Sequence, residues 1–238
     1  MTAARVLGVD ACKSGWIGIA LTGGATGETT TAYTATDIEE LVAVAHTNGP
    51  VQVVAIDMPI GLPDAGTRRA DQLARAAIGA RRSSVFITPV RAALEAPDHA
   101  TAIAVNQHAT GAGVSAQAFA LRRKLLEVDA WVRHARIQAG VRVVEVHPEV
   151  SFATLAGRPL PDSKRTWAGA IHRRRLLAEA GIVLDDDLES AGSAAAVDDI
   201  LDAAIAAWTA RRVAGNEAQP MPDPPQVFSD GIPSAIWT

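Results

Sequence analysis

Two apolar runs of strand length each end in an aspartate, and no other pattern constrains this chain as much. Val6-Leu7-Gly8-Val9 runs into Asp10, and Val51-Gln52-Val53-Val54-Ala55-Ile56 runs into Asp57. A carboxylate at the end of a core strand has lost much of its hydration. It is costly there unless a cation, a hydrogen-bond cluster or a metal takes it up. Two strand-end acids therefore point to a shared divalent metal, and through it to a hydrolase or transferase.

The stretches around these acids predict an α/β fold. Strand one, Val6 to Asp10, turns through Ala11-Cys12-Lys13-Ser14-Gly15 into strand two, Trp16 to Leu21. Gly23-Gly24-Ala25-Thr26-Gly27 is a turn signal, and Thr29 to Tyr33 is β-favouring, so the first three strands should be antiparallel. Thr36-Asp37-Ile38-Glu39 reads as a capping box opening a helix. Strand four, Val51 to Ile56, is apolar except at Gln52, as a strand covered on both faces would be. Strand five is Val141 to Val146. The expectation is a mixed five-stranded sheet, three antiparallel strands then two parallel, flanked by helices in a single domain over 1–238. An irregular insertion should follow strand four over about 58–114, with Ser83 to Pro89 a short strand or extended segment, and a proline-rich strap should occupy about 214–238. Ser115 should cap one long helix reaching Ala139, and Ser163 another reaching Ala180. The last helix should run from about Ala194 to Val213. No G-x-G-x-x-G follows a first strand and no Walker A motif is present, which argues against a dinucleotide or P-loop nucleotide fold.

The last helix carries the third piece. In Asp198-Asp199-Ile200-Leu201-Asp202, Asp199 and Asp202 are three apart and share one helical face. Packed on the sheet, that face would meet Asp10 and Asp57. Four converging carboxylates repel one another without a cation. Oxygen donors of this kind suit Mg²⁺ or Mn²⁺, so Asp10, Asp57, Asp199 and Asp202 are the expected metal ligands.

Glu145, at the end of strand five, is a further candidate catalytic carboxylate; the alternative is that it pairs with an arginine. Glu149 is either functional or the start of a helix after Pro148, and His147 reads as hydrogen-bonded structure. Lys13, Arg81 and Arg82 are candidate substrate-binding cations, since ammonium and guanidinium groups suit phosphate oxygens. Their alternative is structural pairing, for Arg81 and Arg82 with Asp64 or Asp71. His172-Arg173-Arg174-Arg175 reads as a solvated helical face.

Composition limits partners and compartment. The 238 residues carry 22 Lys and Arg against 26 Asp and Glu, a net charge of −4. A dedicated nucleic-acid binder usually has a basic surplus, so this balance argues against one. Cys12 is the only cysteine, which rules out an internal disulfide and fits a reducing, cytoplasmic setting. No apolar run approaches the roughly 20 residues of a membrane helix.

The strand order and acid positions resemble the ribonuclease H-like superfamily, especially its Holliday-junction-resolvase branch. More closely, the chain resembles domain-of-unknown-function family 429. The matching segments are Gly8-Val9-Asp10 with Gly15-Trp16, Asp57-Met58-Pro59-Ile60-Gly61-Leu62, Arg81-Arg82-Ser83-Ser84-Val85-Phe86, Glu145-Val146-His147-Pro148-Glu149 and Asp198-Asp199-Ile200-Leu201-Asp202-Ala203. The resemblance implies a metal-dependent nuclease or phosphodiesterase using Mg²⁺ or Mn²⁺, with nucleic acid or another phosphodiester as substrate and a homodimer as the assembly. The net negative charge departs from the basic resolvases. Two other functions compete. An actin-like phosphotransferase using ATP shares the strand order, but normally has two copies of the fold and a second Asp-x-Gly phosphate turn. A non-catalytic binding module would keep the fold without needing the acids.

Overall fold

The computed structural model of the chain describes residues 4–24, 27–137 and 140–238. Strands β1 (Arg5–Cys12), β2 (Gly15–Gly24) and β3 (Gly27–Ala35) form an antiparallel meander, and helix α1 (Ile38–Thr47) leads into β4 (Val51–Ile56). Helix α2 (Arg69–Ile78), a 3-10 segment (Gly79–Ser84), α3 (Arg91–Leu94), α4 (His99–Thr110), α5 (Ala116–Ala120) and α6 (Arg122–Ile137) precede β5 (Arg142–Glu145). Helices α7 (Pro148–Ala156), α8 (Trp167–Glu179), α9 (Glu189–Ala194) and α10 (Val197–Ala214) follow, then β6 (Pro220–Val227) and β7 (Pro233–Trp237). The strands make one mixed sheet in the order β3-β2-β1-β4-β5-β7-β6. Neighbours from β1 through β4 and β5 to β7 are parallel, and the outer pairs are antiparallel.

Side chains alternate across a strand, so each sheet face is a row of every second residue. Val6 and Cys12 of β1, Val53 and Ala55 of β4, and Val144 with Val146 at β5 enter the core beneath α10. Leu7 and Val9 of β1 and Val54 and Ile56 of β4 enter the opposite core, with Leu41 of α1 and Val128 of α6. Asp10 and Asp57 continue the first row, on the α10 side.

Helix α10 is buried almost all round. Ala203, Ala204, Ala206, Ala207 and Ala210 are fully covered. The helix lies so close to β1 that a Cβ at Gly8 would fall 2.0 Å from the Ala207 nitrogen and 2.2 Å from the Ala203 oxygen. Only glycine permits that backbone-to-backbone contact.

Several expectations are corrected. The sheet has seven strands among the described residues, not five, because the C-terminal strap supplies β6 and β7. Prolines lack the N–H that an inner strand must donate, so Pro220-Met221-Pro222-Asp223-Pro224-Pro225 reads as irregular; it forms a strand because β6 lies at the sheet edge. The insertion is largely helical. Its last extended stretch begins in the 3-10 segment, and no strand forms between Ser83 and Pro89. Asp37, not Thr36, caps α1, accepting the Glu40 amide at 2.8 Å. The helix expected from Ser115 is divided at Leu121, and its expected end at Ala139 lies outside the described residues. Thr166 replaces Ser163 as the cap of α8. Among the described residues no helix is long and apolar enough to cross a membrane.

Candidate functional site

The parallel register brings the strand-end acids together. Val9 pairs with Ile56, and the Asp57 amide donates to the Val9 carbonyl at 2.9 Å. Asp57 therefore sits beside Asp10 on the α10 face. Asp202 comes down from the first turns of α10, one residue before the alanine stripe that rests on Gly8. Oxygens of Asp10, Asp57 and Asp202 all lie within 4.8 Å of one another. They form the floor of a cleft of about 630 Å³.

Asp10 and Asp202 are buried and Asp57 is partly exposed. Burial, then the neighbouring charges of Asp57 and Asp202, hold the Asp10 carboxyl well above its usual value. Burial raises Asp57 to about 7 against the pull of Lys164. Burial likewise raises Asp202 to about 7, with Lys164 opposing and Asp57 reinforcing the shift. Asp202 Oδ2 accepts from Lys164 Nζ, while Asp202 Oδ1 is buried with no hydrogen-bond partner. An orphaned carboxylate oxygen in a cluster of hard oxygen donors fits a bound Mg²⁺ or Mn²⁺.

The other expected residues fall at graded distances from this floor. Asp199 lines the cleft one turn nearer the α10 N-terminus, where its Oδ2 accepts the Ala196 amide at 3.4 Å. It stands outside the three-acid cluster. Glu145 also lines the cleft, but it pairs in register with Ile56, whose side chain faces the opposite core, so it points away from α10. Its Oε2 accepts the Ile60 amide at 2.8 Å and pairs with the fully buried Arg68. Burial pushes the Glu145 carboxyl up, and Arg68 works against that. Arg81 lines the cleft, but its guanidinium donates to the carbonyls of Leu160 and Pro161. Lys13, in the β1–β2 turn, and Arg82 are exposed and outside the cleft lining. Asp64 and Asp71 do not pair with these arginines: Asp64 accepts from Ser229 and Asp71 from Arg68.

Four further residues shape the site: the sequence passed over Lys164, placed Arg173 on a solvated face, left Glu149 open between function and a helix start, and read His147 as hydrogen-bonded structure. Lys164 lies in the loop between α7 and α8, and nothing in its neighbourhood announces a partner 38 residues away. Burial alone would lower its pKa, but Asp202, Asp57 and Asp10 together raise it, so it stays charged. Glu149, the second residue of α7, lines the cleft and accepts from Arg173 at 2.7 Å. Arg173 is fully buried, so the basic stretch of α8 is not a solvated face throughout. His147 also lines the cleft; burial lowers it to about 4, and its Nδ1 has no partner.

Fold and site together define a mixed α/β protein with a carboxylate-floored cleft beside the C-terminal ends of its central parallel strands. Residues 8–227 match the family described as protein of unknown function, DUF429, and the chain belongs to it. No curated protein and no solved structure matches the chain.

Proposed function

We propose that this protein is a divalent-metal-dependent phosphodiesterase of the nuclease type, on a ribonuclease H-like arrangement of its first five strands. The strand order β3-β2-β1-β4-β5 and the acids on β1, after β4 and on α10 support that arrangement. One observation carries the functional reading. Three carboxylates that burial and mutual repulsion disfavour meet at the floor of an open cleft, and one of their oxygens has no partner.

Asp10, Asp57 and Asp202 would hold the metal, with Asp199 at the mouth of the cleft. A bound Mg²⁺ or Mn²⁺ supplies Lewis-acid activation of water and neutralises charge on the phosphate. The protein contributes the rest. Lys164 and the exposed Arg165 line the cleft and present cations to phosphate oxygens. Glu149 is held in place by Arg173, and Arg81 ties the 3-10 segment to the loop carrying Lys164. The cleft lining is itself rich in acids, with Arg81, Lys164 and Arg165 as its cations, so a polyanionic substrate depends on the metal to offset that charge.

The test is cleavage of single-stranded, duplex and branched nucleic acids with Mn²⁺, comparing wild type with Asp57→Asn. The wild type should cut at least one substrate, and the variant should lose about a thousandfold or more in rate, matching the several kcal/mol that metal catalysis supplies. Equal cleavage by the two proteins would remove the proposed mechanism.

A further inference from the structure

We infer that the site binds a single divalent cation, and that Lys164 is the fixed second positive charge of the centre. The inference rests on the metal-binding part of the reading above and not on any substrate.

The charge inventory of the cleft leads to it. Glu145 is bound to Arg68, which also holds Asp71 outside the cleft, and Glu149 is paired with Arg173, all buried. Asp198 and Asp199, in the first turn of α10, are balanced in formal charge by Arg81 and Arg165, the other cations of the lining. What remains is the cluster of Asp10, Asp57 and Asp202, with Lys164 bound to Asp202. Three formal negative charges against one positive leave two, which one dication neutralises. A second dication would overcharge the centre unless Lys164 left.

The structure holds Lys164 where it is. Arg81 donates to the carbonyls of Leu160 and Pro161, and Arg173 donates to that of Asp162 at 3.1 Å. Thr166 Oγ1 donates to the Ser163 carbonyl at 2.8 Å and accepts the Gly169 amide at 3.1 Å. A Cβ at Gly169 would fall 1.9 Å from the Ser163 oxygen, so α8 is seated directly against the loop. Lys164 takes one oxygen of Asp202 and leaves the other buried and unpartnered, beside Asp10 and Asp57. That division marks one oxygen for the resident ammonium and one for an incoming cation.

The experiment is titration of the metal-free full chain with Mn²⁺, read by calorimetry and by native mass spectrometry. Wild type should bind one Mn²⁺ per chain. Lys164→Ala should bind Mn²⁺ about tenfold more tightly or better, because a positive charge leaves the site and both oxygens of Asp202 are freed. Lys164→Arg should keep the wild-type stoichiometry and stay within about threefold in affinity, since it retains the charge. Two Mn²⁺ per wild-type chain would overturn the inference and leave the hydrolase reading standing. So would unchanged or weaker binding by Lys164→Ala, whose fold is checked by circular dichroism. One Mn²⁺ bound with no cleavage of any phosphodiester would sink the hydrolase reading alone, and no Mn²⁺ binding would sink both.

Discussion

Two buried charge clusters on the same sheet, one around Arg68 and one in the cleft, are built on different principles. Around Arg68 the two carboxylates, Glu145 and Asp71, are each hydrogen-bonded to the guanidinium and to a backbone amide. The guanidinium reaches Glu145, Asp71 at 3.1 Å, Thr88 Oγ1 at 2.9 Å, Ser234 Oγ at 2.9 Å and the Ile60 carbonyl at 3.3 Å. Asp71 in turn accepts the Thr88 amide at 2.7 Å. This knot ties α2, the loop after β4, β5 and β7 together. In the cleft, three carboxylates share one lysine, and an oxygen is left bare. Hydrogen bonds to every buried group are what a structural ion cluster needs, because burying an unmatched polar atom is expensive. A buried carboxylate oxygen left without a partner marks a place where something else is meant to bind.

The contrast makes the two clusters respond in opposite directions. The largest effect belongs to the Arg68 knot. Arg68→Ala should cost about 3–5 kcal/mol of stability, the cost of leaving buried carboxylates without their partner. Urea unfolding measures it, and a loss below about 1 kcal/mol would show that the knot is not structural.

A pH series should expose the cleft next. A carboxyl whose folded-state pKa stands above its unfolded value binds its proton more tightly when folded. Stability is then full at low pH and lost as pH rises through the folded value. For Asp57 and Asp202, raised from 3.8 to about 7, the loss falls between those values. The metal-free protein should be less stable at pH 8 than at pH 5 by on the order of 2 kcal/mol. Glu145, raised from 4.5 to about 7, adds to the drop, so thermal melts at the two pH values compare wild type with Asp57→Asn, and an equal drop in the two proteins would show that the cleft acids are not strained. Saturating Mn²⁺ should restore the lost stability, since a ligand of the folded state alone stabilises it.

The smallest effect has the most telling sign. Asp57→Asn should leave the metal-free protein as stable as wild type at pH 8, or more stable by about 1 kcal/mol, because it removes a like charge from the cluster. The same substitution should abolish the stabilisation by Mn²⁺. A clear loss of metal-free stability would place Asp57 with the structural acids.

What the sequence made legible follows from periodicity. The apolar runs marked β1 and β4, and their matching aspartates marked one end of the sheet. The same alternation held information left unused. Val144 and Val146 are the apolar partners of the α10 face, so Glu145 between them belongs to the other side. Asp202 was visible on its helix, but its i,i+3 neighbour Asp199 sits a turn nearer the solvent, where the helix end claims it. Lys164 and Arg173 were not legible, because a loop lysine and a helical arginine acquire their roles only through partners brought near by the fold. The strap was misread because proline content reports missing amide donors and says nothing of whether a strand lies at an edge.

The missing side chain of Gly8 sets how faithfully the centre keeps its dimensions. With main chain resting on main chain, no rotamer stands between strand and helix to absorb a displacement. The gap between Asp10 and Asp202 is thus gauged by backbone thickness, a quantity that core substitutions elsewhere leave unchanged. A bulkier residue at that one position would lift the helix like a shim and spread the jaws of the site, parting Asp202 from Asp10.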